Sequence, residues 1–201
     1  MSSLGNRFNK LTGKNRFVVS RIFIHLAGDE VAPLLGVLNQ AAQDALESEG
    51  DLGVLGESLA NICQKLLEMS IYWRSAANEG DVFWEEEGAG DYITELFTDS
   101  AQRYLSGAEF DSFTSEENTL LSLPMTRNVV VMIVVAFKGE APELETSLAD
   151  RLALEEGLKA LINLNYQGVL EAIQVHFSPA QLGDELTNDQ LLLNFSELIS
   201  L

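Results

Sequence analysis

The stretch Val129–Phe137, V-V-V-M-I-V-V-A-F, decides the fold, because it places nine apolar residues in an unbroken row. A helix that crosses a bilayer needs about 20 such residues, so this run is far too short to span a membrane. β-branched residues dominate the run, and polar and turn-forming residues bound it on both sides. The pattern therefore predicts a strand that is covered on both faces and lies in the middle of a small sheet.

Two further segments favour strands on either side of that run. Phe17–Leu26 is rich in β-branched residues and is followed by Gly28, which favours a strand. A helix from residue 16 onward is the competing interpretation, since apolar residues also recur there at four-residue spacing. Val169–Phe177 alternates between apolar and more polar residues. Because a whole helix separates this segment from Val129–Phe137, we expect a right-handed parallel crossover between the two strands.

Apolar residues at helical spacing predict the remaining elements. Asp29 is expected to cap the first helix and Asp51 the second. Thr187 and Gln190 have the spacing of a capping box at the start of the last helix, and Thr114–Glu117 has the same spacing inside a linker. The predicted helices cover about residues 29–48, 52–70, 91–106 and 147–164, together with a short one after 187.

The sequence therefore predicts an α+β fold with a small three-stranded mixed sheet. Its strands lie near residues 17–26, 128–138 and 169–177, and about five helices cover them in the order β-α-α-α-β-α-β-α. Residues 1–14 are expected to form a flexible basic arm, and residues 15–201 a single domain. Within that domain we expect helical cover over 29–107, a linker over 108–126 and a βαβα unit over 127–201.

Charge is distributed unevenly along the chain. The formal net charge is −19, yet five basic residues precede the first acidic one, Asp29. The remaining seven basic residues are set against all 31 acidic residues, which gives −24 from residue 22 onward. A body this acidic repels nucleic-acid phosphates, so we expect no nucleic-acid binding.

The basic arm is the feature with the most specific physical use. Its cations and apolar residues are suited to docking on an anionic lipid surface or on a protein partner, and each cation near such a surface contributes about 1 kcal/mol. The alternative is an inert, solvated terminus. The candidate docking residues are Arg7, Phe8, Lys10, Lys14 and Arg16.

Candidate residues for chemistry are few. His25 and His176 both lie in predicted strands, and they form a metal site only if those strands are neighbours and a loop supplies a third ligand. The alternative is two unrelated strand histidines. Cys63 fits a small buried hydrophobe better than a reactive thiol, and Glu85–Glu87 fits a solvated edge better than a metal loop. No motif for a nucleotide, a metal or a catalytic nucleophile occurs, so no cofactor is expected.

The C-terminal segment carries a family likeness. Residues 173–179, I-Q-V-H-F-S-P, lead into 183–198, G-D-E-L-T-N-D-Q-L-L-L-N-F-S-E-L, and an earlier helix ends at Tyr72-Trp73. These features resemble an uncharacterised family of cyanobacteria and chloroplasts, domain of unknown function fifteen-seventeen, over about residues 17–201. Where that family commonly has Thr-Pro and Tyr-Pro steps, this chain has Ser178-Pro179 and Phe195-Ser196.

The resemblance implies no established enzymatic activity and offers no catalytic residues to transfer. It does imply a link to photosynthetic membranes, because plant relatives are associated with thylakoid acclimation to changing light. Family members commonly carry a glycine-rich segment and a transmembrane helix before the domain, where this chain has only the basic arm. We therefore expect neither integral membrane attachment nor, since no apolar leader is seen, secretion.

The function that these observations favour is a non-enzymatic module that binds an unknown protein partner. We expect it to act in regulation or assembly, in a cytoplasmic or stromal-type compartment, with peripheral contact at the thylakoid membrane through residues 1–16. The alternative is a small-molecule-binding, metal-binding or catalytic domain with a pocket at the sheet near His25 and His176.

Overall fold

The computed structural model describes residues 15–110, 126–179, 184 and 186–201. Five strands form one antiparallel sheet: β1 (Phe17–Ala27), β2 (Trp73–Phe83), β3 (Asn128–Lys138), β4 (Leu170–Ser178) and β5 (Ile199–Ser200), in the spatial order β4-β3-β1-β2-β5. The helices within the described residues are α1 (Ala32–Glu47), α2 (Leu52–Glu68), α3 (Glu86–Phe110), α4 (Arg151–Gln167) and α5 (Asn188–Asn194), and a 3₁₀ turn covers Ser70–Tyr72. None of these helices has the length and apolarity that crossing a bilayer requires.

The predicted α+β class is confirmed, but the three-stranded mixed sheet is wrong, because the sheet has five strands and is antiparallel throughout. The strand β2 lies inside the segment that we expected to be helical cover. Its sequence, W-R-S-A-A-N-E-G-D-V-F, is largely polar because much of the strand is exposed near the rim of the sheet. The strand β5 has only two residues, which is too short to produce a sequence pattern.

The predicted parallel crossover is also wrong, since β3 and β4 pair in antiparallel orientation. After β3, the chain does not enter a helix at once. It first runs back along the sheet from Gly139 to Arg151. At the start of this path the Gly139 N–H donates to the Arg16 carbonyl, and at its end the Arg151 guanidinium donates to the Trp73 carbonyl at 2.9 Å. The helix α4 then runs along the sheet in the opposite direction, so β4 starts beside the end of β3. The placement of Val129–Phe137 between the strands near 17–26 and 169–177 is confirmed.

The two faces of the sheet are covered differently. On the face that we call the apolar face, Ile22 of β1 and Ile133 of β3 pack in one large cluster with residues of α1, α2 and α4. Two of these helices approach closely: a Cβ on Gly56 of α2 would lie 2.0 Å from Asn165 Oδ1 of α4. The opposite face, which we call the polar face, carries Arg21, Phe23 and His25, and is covered by α3 and α5 through two smaller apolar clusters.

The N-termini of the helices show which of the predicted capping residues are correct. Asp51 caps α2 by accepting a hydrogen bond from the Val54 N–H at 3.1 Å, and Thr187 forms the capping box of α5, so both predictions are confirmed. The predicted cap at Asp29 is wrong: α1 begins at Ala32, and Asp29 instead pairs with Arg127 at 3.2 Å. The helix α3 begins at Glu86 rather than near 91 and extends into the predicted linker, whose residues 111–125 lie outside the described part of the chain.

Candidate functional site

The outer edge of β2 is paired over only part of its length. The strand β5 pairs with Ser75 and Ala76, and the Leu201 N–H donates to the Arg74 carbonyl at 3.0 Å. Because backbone groups of alternate residues face the same side of a strand, the groups of residues 78, 80 and 82 also point outward. Among the described residues no strand pairs with them. We call residues 78–82 the open edge.

A cavity of about 420 Å³ lies beside the open edge, on the apolar face of the sheet. The strands β1 and β2 form its floor, and the loop of residues 144–147 forms its wall. Asn78 fixes this loop, since its side-chain Nδ2 donates to the Thr146 carbonyl and its Oδ1 accepts from the Leu148 N–H, both at 2.8 Å. We call this space the edge cavity.

Two residues, one on β1 and one on β2, determine the polarity and the shape of the floor of the edge cavity. Ser20 is only 1% exposed, and its Oγ has no hydrogen-bond partner among the described residues. Gly80 lies opposite Ser20 on β2, where an added Cβ would stand 2.4 Å from the Val19 carbonyl oxygen. The close approach of β1 and β2 therefore requires glycine at position 80. The floor thus contains a buried, unsatisfied hydroxyl next to the side-chain-free backbone of Gly80.

On the polar face, the same edge is flanked by acidic residues around an aromatic pair. Tyr92 of α3 packs against Phe83, with ring centroids 5.5 Å apart. Burial raises the pKa of Tyr92, and the negative charges of Glu79, Asp81 and Glu95 raise it further, against the opposing effect of Arg21. Asp81 and Glu95 are exposed, and Asp81 Oδ1 accepts a hydrogen bond from the Val82 N–H at 2.7 Å. This side of the open edge therefore has a negative potential.

A buried arginine holds β2 against α3 on the polar face. The Arg21 side chain is 4% exposed and forms an ion pair with Glu79 of β2. Its Nη1 donates to Asp99 Oδ2 at 2.5 Å and to Ser100 Oγ at 3.1 Å. Its guanidinium also lies 4.8 Å from the centroid of the Phe23 ring, in cation–π geometry. These directional contacts fix the position of the strand that carries the open edge.

The ionic network continues from Asp99 toward the C-terminus. Arg103 donates to Asp99 at 2.9 Å and to the Asn194 carbonyl at 3.0 Å, and it forms an ion pair with Glu197. Burial by itself raises the pKa of Asp99, but the hydrogen bonds and charges of Arg21 and Arg103 outweigh it and lower that pKa overall. The network therefore connects β1, β2 and α3 with the segment that follows α5.

The structure does not bring the two histidines together. β3 lies between β1, which carries His25, and β4, which carries His176, so the two strands are not neighbours. In the described residues no group of three or more His, Cys, Asp or Glu side chains is placed to hold a metal ion. Neither histidine lines the edge cavity.

His25 is engaged at both ring nitrogens. Asn128 donates its Nδ2 to the Leu186 carbonyl, so its Oδ1 faces His25 Nε2, which must donate to it at 3.1 Å. His25 Nδ1 then accepts from Ser75 Oγ at 3.1 Å. Burial lowers the pKa of His25, against the Asn128 hydrogen bond and with a smaller lowering effect from Arg74. These contacts suit a neutral imidazole that stabilises the sheet.

The structure places the remaining candidate residues as follows, where it describes them. Arg16 donates to the Gly139 carbonyl at 2.6 Å and bonds both carboxylate oxygens of Glu145, so its guanidinium ties β1 to the loop after β3. Arg7, Phe8, Lys10 and Lys14 lie outside the described residues. Cys63 is fully buried, and burial raises the pKa of its thiol, which opposes nucleophilic reactivity. Glu85–Glu87 is exposed, as a solvated edge should be.

Sequence reasoning missed the open edge and the edge cavity. Two signals were present in the chain. Ser20 interrupts an otherwise apolar face of β1, and Gly80 stands in a polar segment at strand spacing from Asn78 and Val82. Each residue has an ordinary explanation when it is considered alone. Only the register of β1 and β2 shows that Ser20 and Gly80 lie opposite each other.

Comparison with protein families gives a match over most of the chain. A family model described as "Protein of unknown function (DUF1517)" matches residues 16–201, which confirms the family resemblance seen in the sequence. No curated protein and no solved structure matches this chain.

Proposed function

Since the chain belongs to the DUF1517 family over residues 16–201, whose description assigns no activity, we propose that it is a non-enzymatic protein-interaction module. Its role in this proposal is regulatory or assembly-related. The proposed place of action is the thylakoid membrane, where the protein is attached peripherally, in keeping with the link to photosynthetic membranes that the resemblance implies.

The observation that supports this function is the open edge of β2. The outward backbone groups of Asn78 and Gly80, with which no strand among the described residues pairs, are the kind of template to which a partner chain adds as a further strand. The chain itself already uses this edge, because β5 pairs with the adjacent residues Ser75 and Ala76. A partner strand would continue that pairing along residues 78–82, with the edge cavity on one side.

Site-specific photo-crosslinking in the native host tests this function. We replace Asp81, which is exposed on the open edge, with benzoylphenylalanine and irradiate cells or isolated thylakoid membranes. The matched control carries the same group at Leu46, which is 81% exposed on α1, away from β2. We expect an adduct of defined mass, in the membrane-associated fraction, from position 81 and not from position 46.

Three results would count against the proposal or against part of it. Absence of any adduct from position 81 would argue against a partner at this edge. Equal yields of the same adducts from positions 81 and 46 would indicate nonspecific collision. An adduct from position 81 found only away from membranes would remove the thylakoid assignment while leaving the interaction.

A further inference from the structure

We propose that the open edge of β2 binds an extended peptide segment of a partner protein in which small or hydroxyl-bearing residues alternate with lysine or arginine. This inference rests on the proposed function and adds the chemistry of the partner. It follows from the different surroundings of the two sides of one strand, because residues that lie opposite each other on neighbouring strands point to the same face of a sheet.

Residues of the added strand opposite positions 78, 80 and 82 would point to the apolar face. There they meet the edge cavity, which the loop of residues 144–147 limits on its far side. The buried, unpartnered Ser20 hydroxyl and the uncovered backbone at Gly80 lie on its floor. The cavity has room for a serine, threonine or alanine side chain, and a hydroxyl group on that side chain adds a polar group beside the buried Ser20.

Residues opposite positions 79 and 81 would point to the polar face. There Asp81 and Glu95 are exposed, and neither forms an ion pair with a described basic residue. The ring of Tyr92, against Phe83, lies among these acids and presents an aromatic surface to a cation. Glu79 keeps its place through Arg21, so the negative surface is held in position.

The backbone geometry fixes the number of residues involved. Outward groups at positions 78, 80 and 82 span five residues, and the Val82 N–H donates to Asp81 instead of to a strand. Two outward positions, Asn78 and Gly80, therefore remain to pair fully with a bound segment. We expect modest affinity that depends on both backbone pairing and charge.

Fluorescence anisotropy with defined peptides tests the partner chemistry on the full chain. The probe is a labelled peptide of sequence Ser-Lys-Ala-Arg-Ser-Lys-Ala-Arg-Ser. One control peptide replaces every basic residue with glutamate, and a second has the same composition as the probe with its basic residues in one block. We expect the probe to bind at least about tenfold more tightly than either control, because only the probe satisfies charge and alternation together.

Two variants test whether the peptide binds at the open edge and beside the edge cavity. Asp81→Asn with Glu95→Gln removes two exposed charges while keeping the polar shape, and is expected to weaken binding about two- to thirtyfold, the range for two exposed ion pairs. Ser20→Val fills the floor of the edge cavity and should weaken binding with an unchanged thermal transition. The charge variant changes only exposed side chains, so it keeps the test valid if Ser20→Val fails to fold.

Several outcomes would overturn the inference. These are equal binding of the acidic control, equal binding of the block control, or an unchanged affinity in the charge variant. Binding that appears only after removal of residues 1–14 would identify the chain's own arm as the occupant. A dimer that the probe dissociates in sedimentation would identify a second copy. A crosslinked partner at position 81 whose segment lacks basic residues would reject this inference and leave the proposed function intact.

Discussion

The apolar and polar faces of the sheet are stabilised by different kinds of interaction. The apolar face buries Ile22, Ile133 and their neighbours against three helices, in contacts that have no directional preference. The polar face buries Arg21 among Glu79 and Asp99, and holds the half-buried His25 between two hydrogen-bond partners. Nonpolar packing supplies most of the free energy of folding, whereas directional polar contacts specify which strand and helix lie together.

This difference has a consequence for the site. The open edge belongs to β2, which has few apolar side chains and gains its position from Arg21 on one face and from Asn78 on the other. The effects of substitutions on the free energy of unfolding should therefore differ between the two faces, both in magnitude and in pH dependence.

The largest expected effect on stability comes from a substitution on the apolar face. Ile133→Asp places a carboxylate at a position with no solvent exposure, between Ile22 and Val175. An unpaired buried charge costs more than a marginally stable domain can tolerate, so we expect loss of the cooperative thermal transition. Ile133→Val is the matched control and should cost about 1 kcal/mol. A cooperative transition in the aspartate variant near the wild-type temperature would show that this face does not dominate stability.

The second effect is on the polar face. Arg21→Met removes the buried guanidinium, leaves Glu79 without its ion-pair partner and leaves Asp99 with Arg103 alone, which is expected to cost about 3 kcal/mol in urea unfolding. Arg127→Met, which breaks an exposed pair with Asp29, is the control and should cost less than about 1 kcal/mol. Equal losses in the two variants would show that the network around Arg21 contributes no more than a surface ion pair.

The third effect is a pH dependence that belongs to the polar face. Burial holds the pKa values of His25 and His176 below 6.5, so below that pH the unfolded chain binds more protons than the folded domain. The free energy of unfolding should therefore decrease as the pH falls through 6.5, and level off once the folded histidines titrate. His25→Gln should reduce this decrease, measured by urea unfolding on both sides of pH 6.5. An unchanged decrease would show that His25 does not contribute.

The smallest effect is expected at Ser20. Although this residue lies on the apolar face, its hydroxyl has no partner among the described residues, so Ser20→Ala removes no protein hydrogen bond. We expect the free energy of unfolding to change by less than about 1 kcal/mol, with the pH dependence of the wild type. A loss above about 2 kcal/mol would indicate that the hydroxyl stabilises the folded domain.

The sequence predicted the elements whose apolar residues repeat regularly. Phe17–Leu26, Val129–Phe137 and Val169–Phe177 correspond to β1, β3 and β4, and the capping residues Asp51 and Thr187 open the expected helices. These signals are local, because burial of one face imposes a period on the side chains.

The missed features depend on contacts between distant segments. Arg74–Asp81 has no apolar alternation because β2 is held partly by the buried Arg21, an interaction that no local pattern encodes. The antiparallel pairing of β4 follows from the path of residues 139–150 along the sheet, which has no periodic signature. The edge cavity arises from the register of two strands, so its residues gave no combined signal.

Amide hydrogen exchange, measured residue by residue with NMR, tests the central claim most directly. In the free chain the outward amides of Asn78 and Gly80 should exchange fast, while the amides of Glu79 and Asp81, which face β1, should exchange slowly. Addition of the alternating basic peptide should slow exchange at Asn78 and Gly80 selectively. Exchange at these two amides that stays fast at saturating peptide would contradict strand addition at the open edge.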